Sequence, residues 1–519
     1  MPVPDLLCLA AFHPDDLRAI GHKLRALGLG PERVAPIVAA AAVVPPALRG
    51  PLRKYHLRAL TDPAGIAMRA LLFSDPVSEA EAEAAFGDSL APMLAAGLLQ
   101  RGPTGLVSPF VLSVFNELFI LSDDLVHGED AVMGFGETTI ELCRASYPSR
   151  PLASALDLGC GSGTAALVLA SACARVVGTD INPRAVALAR VNAALNGISN
   201  AEFRVGDLFA PVAGERFDLV VSQPPFIPRP EGAGEAVFLY GGARGDELSR
   251  ALLAGIEPHL APRGRAVLLI EWPELPGEPI PARVRAALGN DALELIVLEA
   301  PLVSADEHAV SYAAGMHPVL DRAFEDEALR RRAHLAQLGI GGLRPTATLL
   351  QRLGGRAGKT WSLPVAKLGK ITLSSERIDK LFAARALVGQ RERLLAATLR
   401  VPEGTVFAEE QEGPGAEAAS TLTARFADEA LAQKTRMTPE LLFLITFIHE
   451  SPDVRAGIAQ FAEANETGGV RPAKPQLRRD NAAFAVGDGY RIPGEFVVAA
   501  ARTTASIRRQ EGNYAHAAV

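Results

Sequence analysis

Cysteine is scarce. The 519 residues contain four, Cys8, Cys143, Cys160 and Cys173, with neither C-x-x-C spacing nor a regular framework. That argues against a zinc module or a disulfide scaffold and leads us to expect reduced thiols and no metal site. Long apolar runs are missing too, so no stretch reaches membrane-spanning length. The beginning, Met1-Pro2-Val3-Pro4-Asp5, has no basic region ahead of its short apolar run, unlike a secretory leader. A cytoplasmic chain without a membrane partner is expected. An excess of positive charge is also lacking: 52 basic and 59 acidic side chains give a net charge of -7. This is the wrong sign for a protein held on nucleic acid by bulk electrostatics.

What is present is ordinary globular material, 49% apolar and 21% charged, in a chain too long for one hydrophobic core. Three domains are expected: 1–122, 123–353 and 354–519. In the first, Leu17, Ile20, Leu24 and Leu27 recur at helical spacing. Helical runs then lead to apolar strands around Gly105-Leu106-Val107 and Phe115 to Leu121, a helical, winged-helix-like order. The small number of basic residues there favours a packing module over a nucleic-acid reader. The third domain reads as a small α+β unit with an apolar helix from Pro439 to Ile448, and its tail from Thr467 is expected to be partly mobile.

The middle domain alternates β-rich and helical runs. Ala155 to Leu158, Arg175 to Thr179, Ala201 to Val205, Phe217 to Ser222, Ala266 to Glu271, Leu293 to Leu302 and Leu343 to Leu350 read as seven buried strands. Thr164 to Ala172, Pro183 to Asn196, Asp246 to Ile256 and Asp321 to Leu338 read as helices between them. This pattern predicts an α/β fold, a doubly wound, Rossmann-like sheet.

The first strand runs into Asp157-Leu158-Gly159-Cys160-Gly161-Ser162-Gly163-Thr164, a turn whose glycines let a ligand approach the backbone. The second strand ends at Asp180, where a carboxylate can accept ribose hydroxyls. The third ends Gly206-Asp207-Leu208-Phe209, an acid among apolar neighbours. The fourth ends Ser222-Gln223-Pro224-Pro225-Phe226. This series of strand ends resembles the class I S-adenosylmethionine-dependent methyltransferases, and most closely the small-domain group that includes the release-factor glutamine methyltransferases and several ribosomal RNA guanine methyltransferases. The resemblance covers about residues 125 to 350.

The resemblance implies S-adenosylmethionine as cofactor, with Gly159, Gly161 and Gly163 along its methionine end, Asp180 at the ribose and Asp207 at the adenine. Asp157 would shape the loop or meet the cofactor's amino group. Asp130 to Thr139 looks like the family's cover strand over the cofactor. The family's Asn-Pro-Pro-Tyr/Phe motif orients a planar acceptor nitrogen; here it reads Gln-Pro-Pro-Phe. Gln223 and the Pro224 carbonyl would hold the acceptor, with Gln223 also bordering the cofactor, and Phe226 would pack against it.

Glutamine keeps the amide chemistry but moves its tip by roughly an ångström. Three readings stay open. The acceptor is an amino or amide nitrogen of a protein, RNA or carrier-bound molecule; or it is a small-molecule oxygen, with His127 or Asp246 as base; or the chain is a cofactor-binding scaffold. The first is the expected function. Phe238 to Leu248, with its Gly-Gly and Gly-Asp turn, is expected beside the acceptor, with Asp246 capping the next helix and Tyr240 and Trp272 near the substrate or in the core. Trp361 is expected in the loop entering the last domain. Arg344, Arg352, Arg356, Lys359, Lys367 and Lys370 form a stretch without acidic residues, so RNA is a possible but not favoured partner.

Overall fold

A computed structural model describes residues 5–40, 44, 46–123, 128, 130–233, 238–317, 319–365, 368, 373–388, 390–401, 406–412, 419–425 and 435–466. The chain divides into two compact units, Met1–Leu363 and Pro364–Val519.

The first unit is built on one mixed sheet. Its main strands are β1 (Leu152–Leu158), β2 (Cys173–Asp180), β3 (Ala201–Val205), β4 (Phe217–Ser222), β5 (Leu260–Pro273), β6 (Leu293–Glu299), β7 (Gly342–Arg352) and an edge strand, β8 (Thr360–Pro364), and the two-residue strand Val303–Ser304 pairs with the start of β7. Their spatial order is β3-β2-β1-β4-β5-β7-β6-β8. Strands β1 to β5 pair in parallel, and β7 runs antiparallel to both β5 and β6. Parallel strands covered on both faces must be apolar throughout, which is why they read as continuous hydrophobic runs. The seven expected strands all form; β8 is additional and holds Trp361, which was expected in a loop.

After β3 the chain returns to the other side of β1 to make β4. The β1/β4 pair is therefore the switch point of the winding, where the outgoing loops diverge and leave a crevice. The surrounding helices are α1 (Glu137–Ser146), α2 (Thr164–Leu169), α3 (Pro183–Leu195), α4 (Glu247–Ile256), α5 (Ile280–Leu288), α6 (Ala305–Met316) and α7 (Arg322–Gln337). α3 starts at Pro183 because Asn182 caps it, its side-chain oxygen accepting the Arg184 N–H at 2.9 Å. The main core joins Leu156, Val220, Leu268, Ile270 and Trp272 with Leu252, Ile256 and Val284. Trp272 is fully buried there.

The N-terminal elements share a core with α3, whose Ala185, Leu188, Val191 and Leu195 pack among residues such as Leu24, Leu71, Phe86 and Leu121. The strand at Gly105–Val107 pairs with Gln100–Gly102, and Val111–Phe115 pairs with Leu118–Ser122. The expected pairing of the 105–107 strand with the 115–121 strand is thus corrected to two successive hairpins. The physical reason is turn chemistry: Asn116 and Glu117 both have positive φ, 50° and 65°, as a two-residue hairpin turn matching the strand twist requires.

Two asparagines on α3 fasten the second hairpin. Asn192, completely buried, donates to the Leu121 carbonyl at 3.0 Å and accepts the Leu121 N–H at 2.8 Å. Asn196, one turn on, does the same for Phe119 at 2.7 and 2.9 Å. The side chains thereby satisfy a strand edge that would otherwise be left unpaired.

The second unit contains helices Ser375–Val388 and Arg391–Leu395, a three-stranded antiparallel sheet (Val406–Glu412, Ala419–Arg425, Thr435–Met437) and helices Pro439–Glu450 and Val454–Glu466. Leu394, Leu399, Leu444, Ile445, Ile448 and Val454 form its core. The tail from Thr467 lies outside the described residues. Among the described residues no helix is long and apolar enough to cross a membrane.

Candidate functional site

The glycine turn after β1 sits at the switch point. Gly159, Gly161 and Gly163 have φ values of 75°, 52° and 84°. A Cβ at Gly159 or Gly161 would meet nothing within 4 Å, whereas at Gly163 it would come within 2.9 Å of Ala189 and 3.2 Å of the Phe203 ring. The first two leave backbone open to a ligand; the third permits helix-to-sheet packing. Asp180 braces the turn from below, accepting the Gly161 and Asn182 N–H groups, each at 2.9 Å. Asp157 is buried and accepts the Ala166 N–H at 2.9 Å, fixing α2 against β1. Burial pushes its carboxyl up to about 7 and raises Asp180 as well.

Asp207 is exposed in the turn after β3. Two large apolar side chains are exposed at neighbouring strand ends, Ile181 (56%) and Val205 (47%). An open glycine turn, a solvent-facing acid and two exposed apolar side chains therefore share one edge of the sheet.

On the other side of the switch point, Ser222 donates to the Leu158 carbonyl at 2.6 Å, tying β4 to β1. Both ends of the Gln223 amide are engaged: its NH2 donates to Thr138 Oγ1 at 2.9 Å, and its oxygen accepts from Thr139 Oγ1 at 3.3 Å. Those threonines correct the expected cover strand. Asp130 to Gly136 has no regular secondary structure and Glu137 begins α1. The two glycines weaken a strand, and Gly134 lies so close to Ser122 that a Cβ would meet its hydroxyl at 2.8 Å. The segment is nonetheless anchored near the glycine turn, where Asn182 Nδ2 donates to the Asp130 carbonyl at 2.9 Å.

Pro224 is buried, and Phe226 is half-buried against the main core. The glycines of the following turn clamp this backbone. A Cβ on Gly241 would lie 2.5 Å from the Pro225 oxygen, and one on Gly245 would lie 2.4 Å from the Phe226 oxygen. Asp246 stands at the N-cap position of α4 as expected, but its side chain makes no capping bond: it is fully buried and accepts from Arg283 at 2.6 Å and Arg244 at 3.1 Å. Two guanidiniums engage its carboxylate, which ties it into the structure. His127 lies outside the described residues.

The basic stretch is partly neutralised in space by acids distant in sequence. Arg344 pairs with Glu274 and Glu299, and Arg352 with Glu257. Lys367 and Lys370 lie outside the described residues.

Sequence reasoning missed a polar cluster beyond Gln223. Glu271 on β5, His308 and Tyr312 on α6, Arg331 on α7 and Tyr240 come together although they span about a hundred residues of sequence. His308 Nε2 lies 4.0 Å from Glu271 Oε2, its ring is 4.5 Å from that of Tyr312, and Arg331 donates to the Tyr240 hydroxyl at 3.2 Å and pairs with Glu327 at 2.7 Å. The one signal available was an acid ending an otherwise apolar strand.

Residues 150–265 match a family model described as a methyltransferase domain. The chain is 38% identical over 151 residues to a release factor glutamine methyltransferase of Cereibacter sphaeroides, a match covering 27% of this chain and 53% of that one. It is 34% identical over 171 residues to the protein of that name from Xylella fastidiosa (31% and 59%). Against the protein of that name from Deinococcus radiodurans it is 37% identical over 142 residues (25% and 50%). The matched stretch thus spans about half the length of these relatives.

Proposed function

We propose that this chain is an S-adenosylmethionine-dependent methyltransferase that transfers a methyl group to the side-chain amide nitrogen of a protein glutamine. The observation that carries the reading is the meeting, at one switch point, of the open glycine turn braced by Asp180 and the Gln223-Pro224 pair on the adjacent strand. The match to a methyltransferase-domain family model and the names of the partial relatives support it.

The residues present fit the cofactor. Open space over Gly159 and Gly161 accommodates the methionine end, Ile181 and Val205 offer apolar contact to a purine, and exposed Asp207 can accept from its amino group. Asp180 already accepts two backbone N–H groups, but a carboxylate has about four acceptor sites, so two remain for ribose hydroxyls. When bound, the cofactor supplies an electrophilic methyl group on a sulfonium.

The chain's own task is then orientation. Gln223 and the Pro224 carbonyl fix the acceptor nitrogen, Thr138 and Thr139 fix Gln223, and the segment ahead of α1 limits water. Of the two bases weighed for oxygen methylation, Asp246 is held by two arginines. We further propose that the N-terminal elements are a packing module that braces α3.

Titration calorimetry with S-adenosylmethionine tests the cofactor site. Asp207→Ala should weaken binding about tenfold, as loss of one hydrogen bond to a charged group predicts, while the melting temperature stays within about a degree. No binding by the unmodified protein would reject the reading.

A further inference from the structure

The segment that follows Gln223 has little with which to hold itself in place. Four of the seven residues from 224 to 230 are proline, so few backbone N–H groups are left to anchor it. Two that remain, on Ile227 and Arg229, donate to the Leu239 and Gly242 carbonyls at 3.2 and 2.9 Å. Ile227 and Pro228 also pair in parallel with Tyr240 and Gly242. The acceptor motif therefore takes its position from the turn at 240–245. That turn is itself weakly determined by its own chain, because three of its six residues are glycine.

Helix α7 supplies what the turn lacks. Arg331 Nη2 donates to the Tyr240 hydroxyl at 3.2 Å, and His334 Nε2 donates to the Ala243 carbonyl at 2.7 Å. Residues three apart on a helix share a face, so one face of α7 grips the turn at two points. Arg331 is rigidly held: its Nε donates to Glu327, four residues back, at 2.7 Å, and both side chains are nearly fully buried. Its guanidinium lies 5.9 and 5.8 Å from the centres of the Tyr240 and Tyr312 rings, within cation–π reach of each. Gly241 and Gly245 carry the constraint onward, since any side chain there would collide with the Pro225 and Phe226 oxygens.

We propose that Arg331 is a positioning residue for methyl transfer: through Tyr240 it sets the backbone that carries the Pro224 carbonyl and the Phe226 ring, with His334 as the second point of support. The inference rests on the amide-acceptor reading above. An in-line displacement demands that the acceptor's electron pair point at the methyl carbon, and a misplacement of about 1 Å costs on the order of a hundredfold in rate. The cofactor turn is braced by different residues, Asp180, Asp157 and Asn192. Because the two supports share no side chain, loosening α7's grip should disturb the acceptor side and spare the cofactor side.

The test follows methyl transfer by the full chain from labelled S-adenosylmethionine to N-acetyl-glutaminamide, alongside amide hydrogen exchange. Tyr240→Phe keeps the ring and removes the bonded hydroxyl. It should lower kcat about tenfold, with the KM for S-adenosylmethionine and the affinity for S-adenosylhomocysteine within about twofold of wild type. The Ile227 and Arg229 amides should exchange about tenfold faster. Arg331→Lys, which keeps the cation, should retain more activity than Arg331→Met. Adding Tyr240→Phe to Arg331→Met should cost little more than Arg331→Met alone, because both cut the same link. If Arg331→Met does not fold, Tyr240→Phe decides the matter alone. An unchanged kcat and unchanged exchange in Tyr240→Phe would overturn the inference while leaving the amide reading intact. So would a loss of S-adenosylhomocysteine affinity as large as the loss of kcat, which marks a merely structural role. Absence of transfer to the probe by wild type that still binds S-adenosylmethionine would overturn the amide reading and this inference with it.

Discussion

At the residue scale, Gln223 is held as a glutamine. Thr138 and Thr139 meet its two amide atoms at 2.9 and 3.3 Å, and a side chain one methylene shorter would miss both by roughly an ångström. Gln223→Asn should therefore lower the rate of labelled methyl transfer about tenfold or more. The double substitution Thr138→Val, Thr139→Val should cost about the same, and combining all three should add little, because each removes one shared geometry. Full additivity would show that the threonines act elsewhere. Asp157 gives a prediction of a different kind. Its carboxyl is raised to about 7, above its unfolded value, so between roughly pH 4 and 7 the folded state holds a proton that the unfolded state has released. Stability from this group is present at low pH and is lost as pH rises through 7. Asp157→Asn keeps an acceptor for the Ala166 N–H but cannot titrate. The melting temperature of wild type relative to Asp157→Asn should fall between pH 5 and 8, and a constant difference would rule the ionisation out as the cause.

At the element scale, the contact between α3 and the Leu118–Ser122 strand decides whether the cofactor turn stays in place. The Asn192 amide, besides bonding both backbone groups of Leu121, donates to the Ser162 carbonyl in the glycine turn at 2.9 Å. Asn192→Ala would strand three buried backbone groups, a loss of about 3 kcal/mol or more in urea unfolding, and should weaken S-adenosylmethionine binding alongside. This joint was not legible in the sequence, whereas the sheet was. Strands such as Phe217–Ser222 and Leu293–Glu299 announce themselves because burial on both faces forces an apolar run, and the glycine turn because only glycine tolerates its backbone. Helices Ile280–Leu288 and Ala305–Met316 left weaker traces, being short or rich in alanine with mixed polar faces. Asn192 looks like any polar helix residue until the hairpin is seen against it. Glu271, His308 and Arg331 were invisible as a group because their proximity depends on β5, α6 and α7 converging, and no local pattern encodes that. Asp246 looked like a helix cap because sequence shows position but not the two arginines that claim it.

At the scale of the whole molecule, the clusters of buried side chains divide the labour. Among the described residues, three clusters lie entirely within residues 6–350, and another is assembled from residues 394 to 454. Each unit thus has its own core, the condition for folding alone. A chain ending at Leu363 should unfold in one cooperative transition and bind S-adenosylhomocysteine with a dissociation constant within about twofold of the full protein. The N-terminal elements should not be separable in the same way. Without residues 1–122, Ala185, Leu188, Val191 and Leu195 of α3, now 3% exposed or less, would form an open apolar stripe, and Asn192 would lose its partner at Leu121. A chain beginning at Asp123 should therefore aggregate, or if soluble bind the cofactor analogue far more weakly, as light scattering and calorimetry can report. If it instead stayed monomeric with full affinity, the N-terminal elements would be an appendage with a separate task, and the role of α3 as a shared brace would be disproved.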